Sequence, residues 1–191
     1  MVKLNEKVDE LKKKLILDTA SEYFKTLGYE KTQIDKISKE LSIGVGTIYG
    51  YFNSKEGLFM AWFKRLIENA YSEMKEHCEI SSSPVEKLAL IIDYKIKYFQ
   101  KNKMIIQGYM ENNRFFMRGI SSRKEHPMEK VYNYCADIIK EIRPMANEEA
   151  YLLANIFDAI INSYIECSLN FEELIYKKEE IFKRFMCVVG I

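Results

Sequence analysis

Apolar residues recur at three- and four-residue steps along nearly the whole of this 191-residue chain, and no stretch sustains the period-two alternation of a half-buried strand. Eight glycines and three prolines leave few places for the chain to break. Leu, Ile, Lys and Glu abound, and such side chains lose little rotamer freedom in a helix. The expected fold class is all-α with about nine helices, at about 8–27, 33–41, 45–51, 55–78, 84–100, 104–116, 127–142, 148–169 and 172–188.

Punctuation between these segments is specific. Gly28 supplies a left-handed residue to end the first helix. Thr32 with Asp35 reads as a capping box, with Asp in place of the usual Glu. Asn53 and Ser54 are both suited to cap the fourth helix. Ser83-Pro84-Val85-Glu86 is a strong helix start, and Asn147 is expected to cap a long helix after Pro144. On the first segment Leu11, Leu15, Ile16, Ala20, Tyr23, Phe24 and Leu27 are expected to form the packing face.

Charge is a weak guide. The chain has a net charge of +1, with 12 Lys/Arg against 9 Asp/Glu in residues 1–65 and 17 against 19 in the remainder. Cys78, Cys135, Cys167 and Cys187 form no CxxC pair and read as free thiols. His77 beside Cys78 cannot alone hold a metal. No acid–base or nucleophile constellation stands out, so neither an enzyme nor a cofactor is expected. Met1–Lys14 is charged and lacks the apolar region of a secretory signal, and no run approaches the ~20 apolar residues of a membrane span. A cytoplasmic protein is expected.

The informative stretch is Ile16–Phe63. A short helix, a tight turn and a second short helix have the dimensions of a helix-turn-helix. The second of these, Val45–Tyr51, offers Gly46, Thr47, Tyr49, Gly50 and Tyr51 on its open face. Two glycines weaken a helix, but they let its backbone approach a groove floor. The tyrosines offer a hydroxyl to phosphate and a ring to sugar or a thymine methyl.

Ile16-Leu17-Asp18-Thr19-Ala20, Phe24, Gly28-Tyr29, Thr32, Ile37, Gly46-Thr47-Ile48-Tyr49, Tyr51-Phe52 and Ser54-Lys55-Glu56-Gly57-Leu58 together resemble the DNA-binding domain of the tetracycline-repressor (TetR) family. The resemblance covers about 48 residues, a quarter of the chain. It implies a DNA-binding helix-turn-helix domain at 1–54 and a ligand-binding and dimerisation domain at 55–191. It also implies that Thr32 contacts phosphate at a helix N-terminus and that Gly44, Val45, Gly46, Thr47 and Tyr49 lie at the recognition helix. Tyr51 would reach the backbone and Lys55 would neutralise phosphate, while Tyr29 packs beside the motif or touches the backbone. Departures from the pattern cluster at the reading end. Gly44 and Val45 stand where Ser and Lys are usual, Gly50 where His is common, Ser42 for the turn Gly and Leu41 for Ala. Lys12-Lys13-Lys14 is available for further phosphate contacts or is a solvated helix start.

In the remainder, the helix at 148–169 has paired apolar positions every turn, a stripe wider than one core contact needs. The helix at 172–188 repeats the trait, and these two are the expected homodimer surface. Trp62, Leu66, Tyr94, Tyr98, Tyr109, Met110, Phe116 and Tyr132 are candidate walls for a small-molecule effector, with Asn155 and Asp158 as polar contacts. Each also suits plain core or, for the polar pair, a solvated face. The partners implied are a double-stranded, pseudo-palindromic DNA operator, a second copy of the chain and an apolar or aromatic effector.

Overall fold

A computed structural model of the chain describes residues 2–103, 126–170 and 178–190. Among the described residues every element is an α-helix: α1 (Val2–Lys31), α2 (Ile34–Glu40), α3 (Val45–Phe52), α4 (Lys55–Cys78), α5 (Pro84–Lys101), α6 (Glu129–Ile142), α7 (Asn147–Asn170) and α8 (Lys178–Val189). The expected all-α class is therefore the observed one. The helix expected at 104–116, with Tyr109, Met110 and Phe116, lies outside the described residues, as do positions 172–177 of the last. No described helix is long and apolar enough to cross a membrane. The chain divides into two compact units, with the division inside α4 between Leu66 and Ile67.

In the N-terminal unit, Ile16, Ala20 and Phe24 recur every four residues along α1 and are buried. Phe24, Phe59 and Trp62 form an aromatic cluster with ring centroids 5.1–5.4 Å apart. Ile37 of α2 and Ile48 of α3 complete the core. Three expectations about α1 are corrected. It starts at Val2, not near residue 8, because no Gly or Pro interrupts 2–27. Leu11 and Leu15 are exposed, because they stand on the opposite side of the helix from the Ile16–Ala20–Phe24 line, and Leu27 is exposed as well. Gly28 takes the expected left-handed φ of 74°, but helical backbone resumes beyond it to Lys31, so it kinks the chain where an end was expected.

The turns set the orientation of α3. Ser42 adopts a φ of 53° in the α2–α3 turn, a backbone conformation that favours glycine. The expected Thr32 capping box does not form: α2 is capped at Gln33 without a side-chain bond, and the Thr32 hydroxyl donates to the Gly28 carbonyl at 2.7 Å. Ser54 does cap α4, its Oγ accepting from the Gly57 N–H at 3.1 Å.

In the C-terminal unit, α5, α6, α7 and α8 bury Ile91, Ile92, Ile139, Phe157, Ile161 and Phe185 against one another, with Phe157 and Phe185 rings 4.5 Å apart. Ser83 accepts from the Glu86 N–H at 3.4 Å, as its motif predicts. Asn147 is not the cap expected of it. It is the first residue of α7, and its Oδ1 accepts from Lys140 Nζ at 3.0 Å. Pro127 lies in the turn before α6, which starts at Glu129.

Candidate nucleic-acid interface and polar core site

α3 is amphipathic at minimal length. Ile48 and Phe52, four residues apart, are buried, which turns Gly46, Thr47, Tyr49 and Gly50 outward. Val45 and Tyr51 are half-buried, and Gly44 is the exposed, extended N-cap. A Cβ built on Gly46 or Gly50 would meet nothing within 4 Å. Neither glycine is required by packing, turn or φ, yet each weakens the helix by ~1 kcal/mol relative to alanine. The bare backbone is thus a feature of the outer surface.

The side chains around α3 are held in a connected arrangement. The Tyr51 hydroxyl donates to Asp9 Oδ1 at 2.7 Å, and Lys13 Nζ lies 5.8 Å from the Tyr51 ring centroid. That hydrogen bond, with the nearby negative charge, raises the Tyr51 pKa. Lys55 Nζ donates to the Glu30 carbonyl at 3.1 Å and sits 4.5 Å from the Tyr29 ring centroid. Tyr29 in turn donates to Glu56 Oε1 at 2.9 Å, and burial, then Glu56, pushes its pKa up. The Ser54 hydroxyl, ahead of a backbone bond and the Tyr29 hydroxyl, holds the Glu56 carboxyl below its usual range. Lys55 and Tyr29 are therefore positioned by Glu30 and Glu56 across the α1–α4 junction. Thr32 is buried, and its hydroxyl donates to the Gly28 carbonyl. Asp9, Glu30 and Glu56 escaped the sequence reading because their partners are 25 to 42 residues distant.

The candidate effector residues fall in two places. Trp62 and Leu66 belong to the N-terminal unit, where Trp62 packs in the aromatic core. Tyr94, Tyr98, Tyr132, Asn155 and Asp158 belong to the C-terminal unit. There Asp158 joins a polar cluster inside the helical core. Lys95 Nζ contacts Asp158 Oδ1 and donates to Asn162 Oδ1 at 3.1 Å, and Asn162 Nδ2 donates to Asp158 Oδ2 at 2.8 Å. The Tyr132 hydroxyl lies 3.4 Å from Asp158 Oδ2, and the His126 ring lies tilted, 5.5 Å from that of Tyr132. Side chains of Lys95 and Asp158 are only 16% and 11% exposed. Burial lowers the His126 pKa, against the opposing pull of Glu129 and Asp158. Asn155 instead donates to the Tyr151 carbonyl at 2.8 Å. Tyr94 and Tyr98 stack at 5.7 Å, Tyr94 donates to Glu73, and burial pushes the Tyr98 hydroxyl up to about 12. Lys95 was missed, although its signal was present: Leu88, Ile92, Lys95 and Phe99 step 4, 3, 4 along α5, placing a charge in the core stripe.

On the outside of this unit α7 leaves Leu152 59% exposed, and α8 leaves Val188 50% exposed. Ile156, Ile160, Phe182 and Met186 are half-buried.

Residues 16–61 match the sequence profile described as bacterial regulatory proteins, tetR family. The chain is 36% identical over 77 residues to the fatty acid metabolism regulator protein of Bacillus subtilis, a match spanning 40% of each. It is 25% identical over 157 residues to the HTH-type transcriptional regulator YhgD of the same organism, covering 78% of this chain and 82% of that one. Among solved structures, RolR in complex with resorcinol superposes with a TM-score of 0.74 at 16% identity, covering 97% of this chain and 91% of RolR. FadR from Bacillus subtilis in complex with stearoyl-CoA superposes at 0.62 with 20% identity, covering 93% and 98%. At these identities the superpositions establish the shared fold.

Proposed function

We propose, for a chain that belongs to the tetR family of bacterial regulatory proteins, that it acts in the cytoplasm as a homodimeric, ligand-responsive repressor of a pseudo-palindromic operator. The observation that carries the DNA-binding reading is the outer face of α3. Its two glycines answer to no intramolecular need, and Tyr49 stands exposed between them. A backbone stripped of side chains can approach the floor of a major groove. Thr47 and Tyr49 then supply the polar contacts, and Lys55 and Tyr51 the backbone contacts. With Val45 in place of a cationic residue, an apolar contact with a thymine methyl replaces a hydrogen bond at that step.

Two copies are needed to present two such helices to successive half-sites. The exposed apolar residues Leu152 and Val188, flanked by Ile156, Ile160 and Met186, supply the self-complementary surface. The effector is a small apolar or aromatic molecule, in keeping with the resorcinol held by one of the fold relatives. Its polar end is read by the Lys95–Asp158–Asn162–Tyr132 cluster, since a buried ion pair is a costly element that a purely structural core does not need. Effector binding favours a conformation of α4 that releases the operator, which requires tighter binding to the released state than to the DNA-bound one.

Genomic fragments selected on the purified protein test the reading in gel shifts. A sequence-selective complex that weakens steeply as salt rises is expected. If no fragment is retained selectively at low salt, the proposal fails.

A further inference from the structure

α1 carries an apolar strip that is left exposed. Leu4, Val8, Leu11 and Leu15 are 68%, 39%, 65% and 56% exposed. Their spacing of four, three, four is a heptad seam, with Val8 and Leu15 at the a positions and Leu4 and Leu11 at d. At about 100° per residue the four occupy roughly 60° of the helix circumference and about 17 Å of its length. That is narrower than the ~100° face a helix lays on a globular core. It holds none of the Trp or Phe residues that anchor interfacial helices in lipid. The other side of the helix is engaged: Asp9 accepts from Tyr51, Lys13 approaches the Tyr51 ring, and Ile16 and Ala20 are buried. The seam therefore faces away from its own unit.

The residues flanking the seam say what fits it. The g positions are Lys7 and Lys14, and the e positions are Asn5 and Lys12, all exposed. Parallel pairing of two copies would set Lys7 of one against Lys12 of the other, and antiparallel pairing would set Lys7 against Lys14. Both arrangements are repelled. A partner helix with aliphatic residues at a and d and carboxylates at e and g meets neither obstacle. Val at a with Leu at d favours a two-stranded pairing.

We propose that the Leu4–Leu15 strip is the docking seam for an acidic amphipathic helix of a partner protein. Such a helix would lie on the element whose far side holds Tyr51 of α3, so docking would bear directly on the recognition helix.

The full-length chain is titrated with a synthetic three-heptad peptide carrying Val at a, Leu at d and Glu at e and g, and with its counterpart carrying Lys at e and g. The acidic peptide should bind at least tenfold more tightly than the basic one. Leu11→Ser/Leu15→Ser should abolish binding while keeping the wild-type circular dichroism and thermal midpoint, since both side chains are already exposed. Lys7→Glu/Lys14→Glu should reverse the preference between peptides. Failure to bind the acidic peptide, equal binding of both, or binding that survives the double serine change would each overturn the proposal. So would self-association lost in that variant, which would make the occupant a second copy. Binding to phosphatidylglycerol vesicles with no peptide binding would assign the strip to a lipid surface instead.

Discussion

The carbonyl oxygen of Phe52, the last residue of α3, occupies the space in which a side chain on Gly57 would begin: a Cβ there would lie 1.9 Å from it. The α3–α4 corner is thus closed by backbone against backbone. The Ser54 N–H donates to the same carbonyl at 2.7 Å, and Ser54 Oγ accepts from the Gly57 N–H. Gly57→Ala should destabilise the protein by ~3 kcal/mol, at the upper end of overpacking costs because backbone cannot rotate away. Urea unfolding checks this; a midpoint within error of wild type would show that the corner relaxes freely.

The two glycines of α3 should behave oppositely. Gly46→Ala and Gly50→Ala meet open space and should raise stability by up to ~1 kcal/mol each through helix propensity. The added methyl should cost operator affinity about tenfold, the scale of a lost base-pair contact. Paired thermal melts and gel shifts separate the effects, and unchanged DNA binding would remove the glycines from the interface.

Tyr49→Ala and Lys55→Ala should weaken operator binding, again by about tenfold. Tyr49 is exposed, so its loss should change stability by under ~0.5 kcal/mol. Lys55→Ala should also lower the slope of log affinity against log salt by about one. Full-strength binding by both variants would refute the site assignment.

The buried pair predicts a non-additive cycle. Lys95→Met or Asp158→Leu alone leaves one uncompensated charge and should cost ~3 kcal/mol, while the double substitution should cost clearly less than the sum. Additive losses in urea unfolding would mean the two charges are not coupled.

His126 sets a pH dependence. Its pKa is lowered in the folded state, so the unfolded chain binds the proton more readily. Its contribution is fully present above the unfolded value of 6.5 and is lost as pH falls below it. His126→Gln should flatten the stability profile between pH 7.5 and 5.5; an unaltered slope would assign that acid sensitivity to other groups.

Helix positions were legible because their cause is local. Apolar steps of three and four residues and the Ser83-Pro84 start act within a turn or two of chain. The α3 motif was legible for the same reason, since Ile48 and Phe52 share a face whatever surrounds them. Errors arose where a short-range signal competed with a longer one. Thr32 can cap a helix or bond back to the carbonyl four residues earlier, and here it bonds to Gly28 at 2.7 Å. Leu11 and Leu15 continue an apolar pattern that has no unit of its own to cover.

By itself, the sequence determined the all-helical class, the helix-turn-helix and four of the five residues it turned outward on α3, Gly46, Thr47, Tyr49 and Gly50, because periodicity operates between near neighbours; the fifth, Tyr51, is half-buried. Only the tertiary structure decided that Tyr51 is held by Asp9, that Lys55 is shared between Glu30 and Tyr29, and that Lys95 meets Asp158 inside the C-terminal core. Those partners are separated by 25 to 63 residues, and nothing in the local chain states which of many equivalent carboxylates, carbonyls and rings a given side chain will meet once the helices pack.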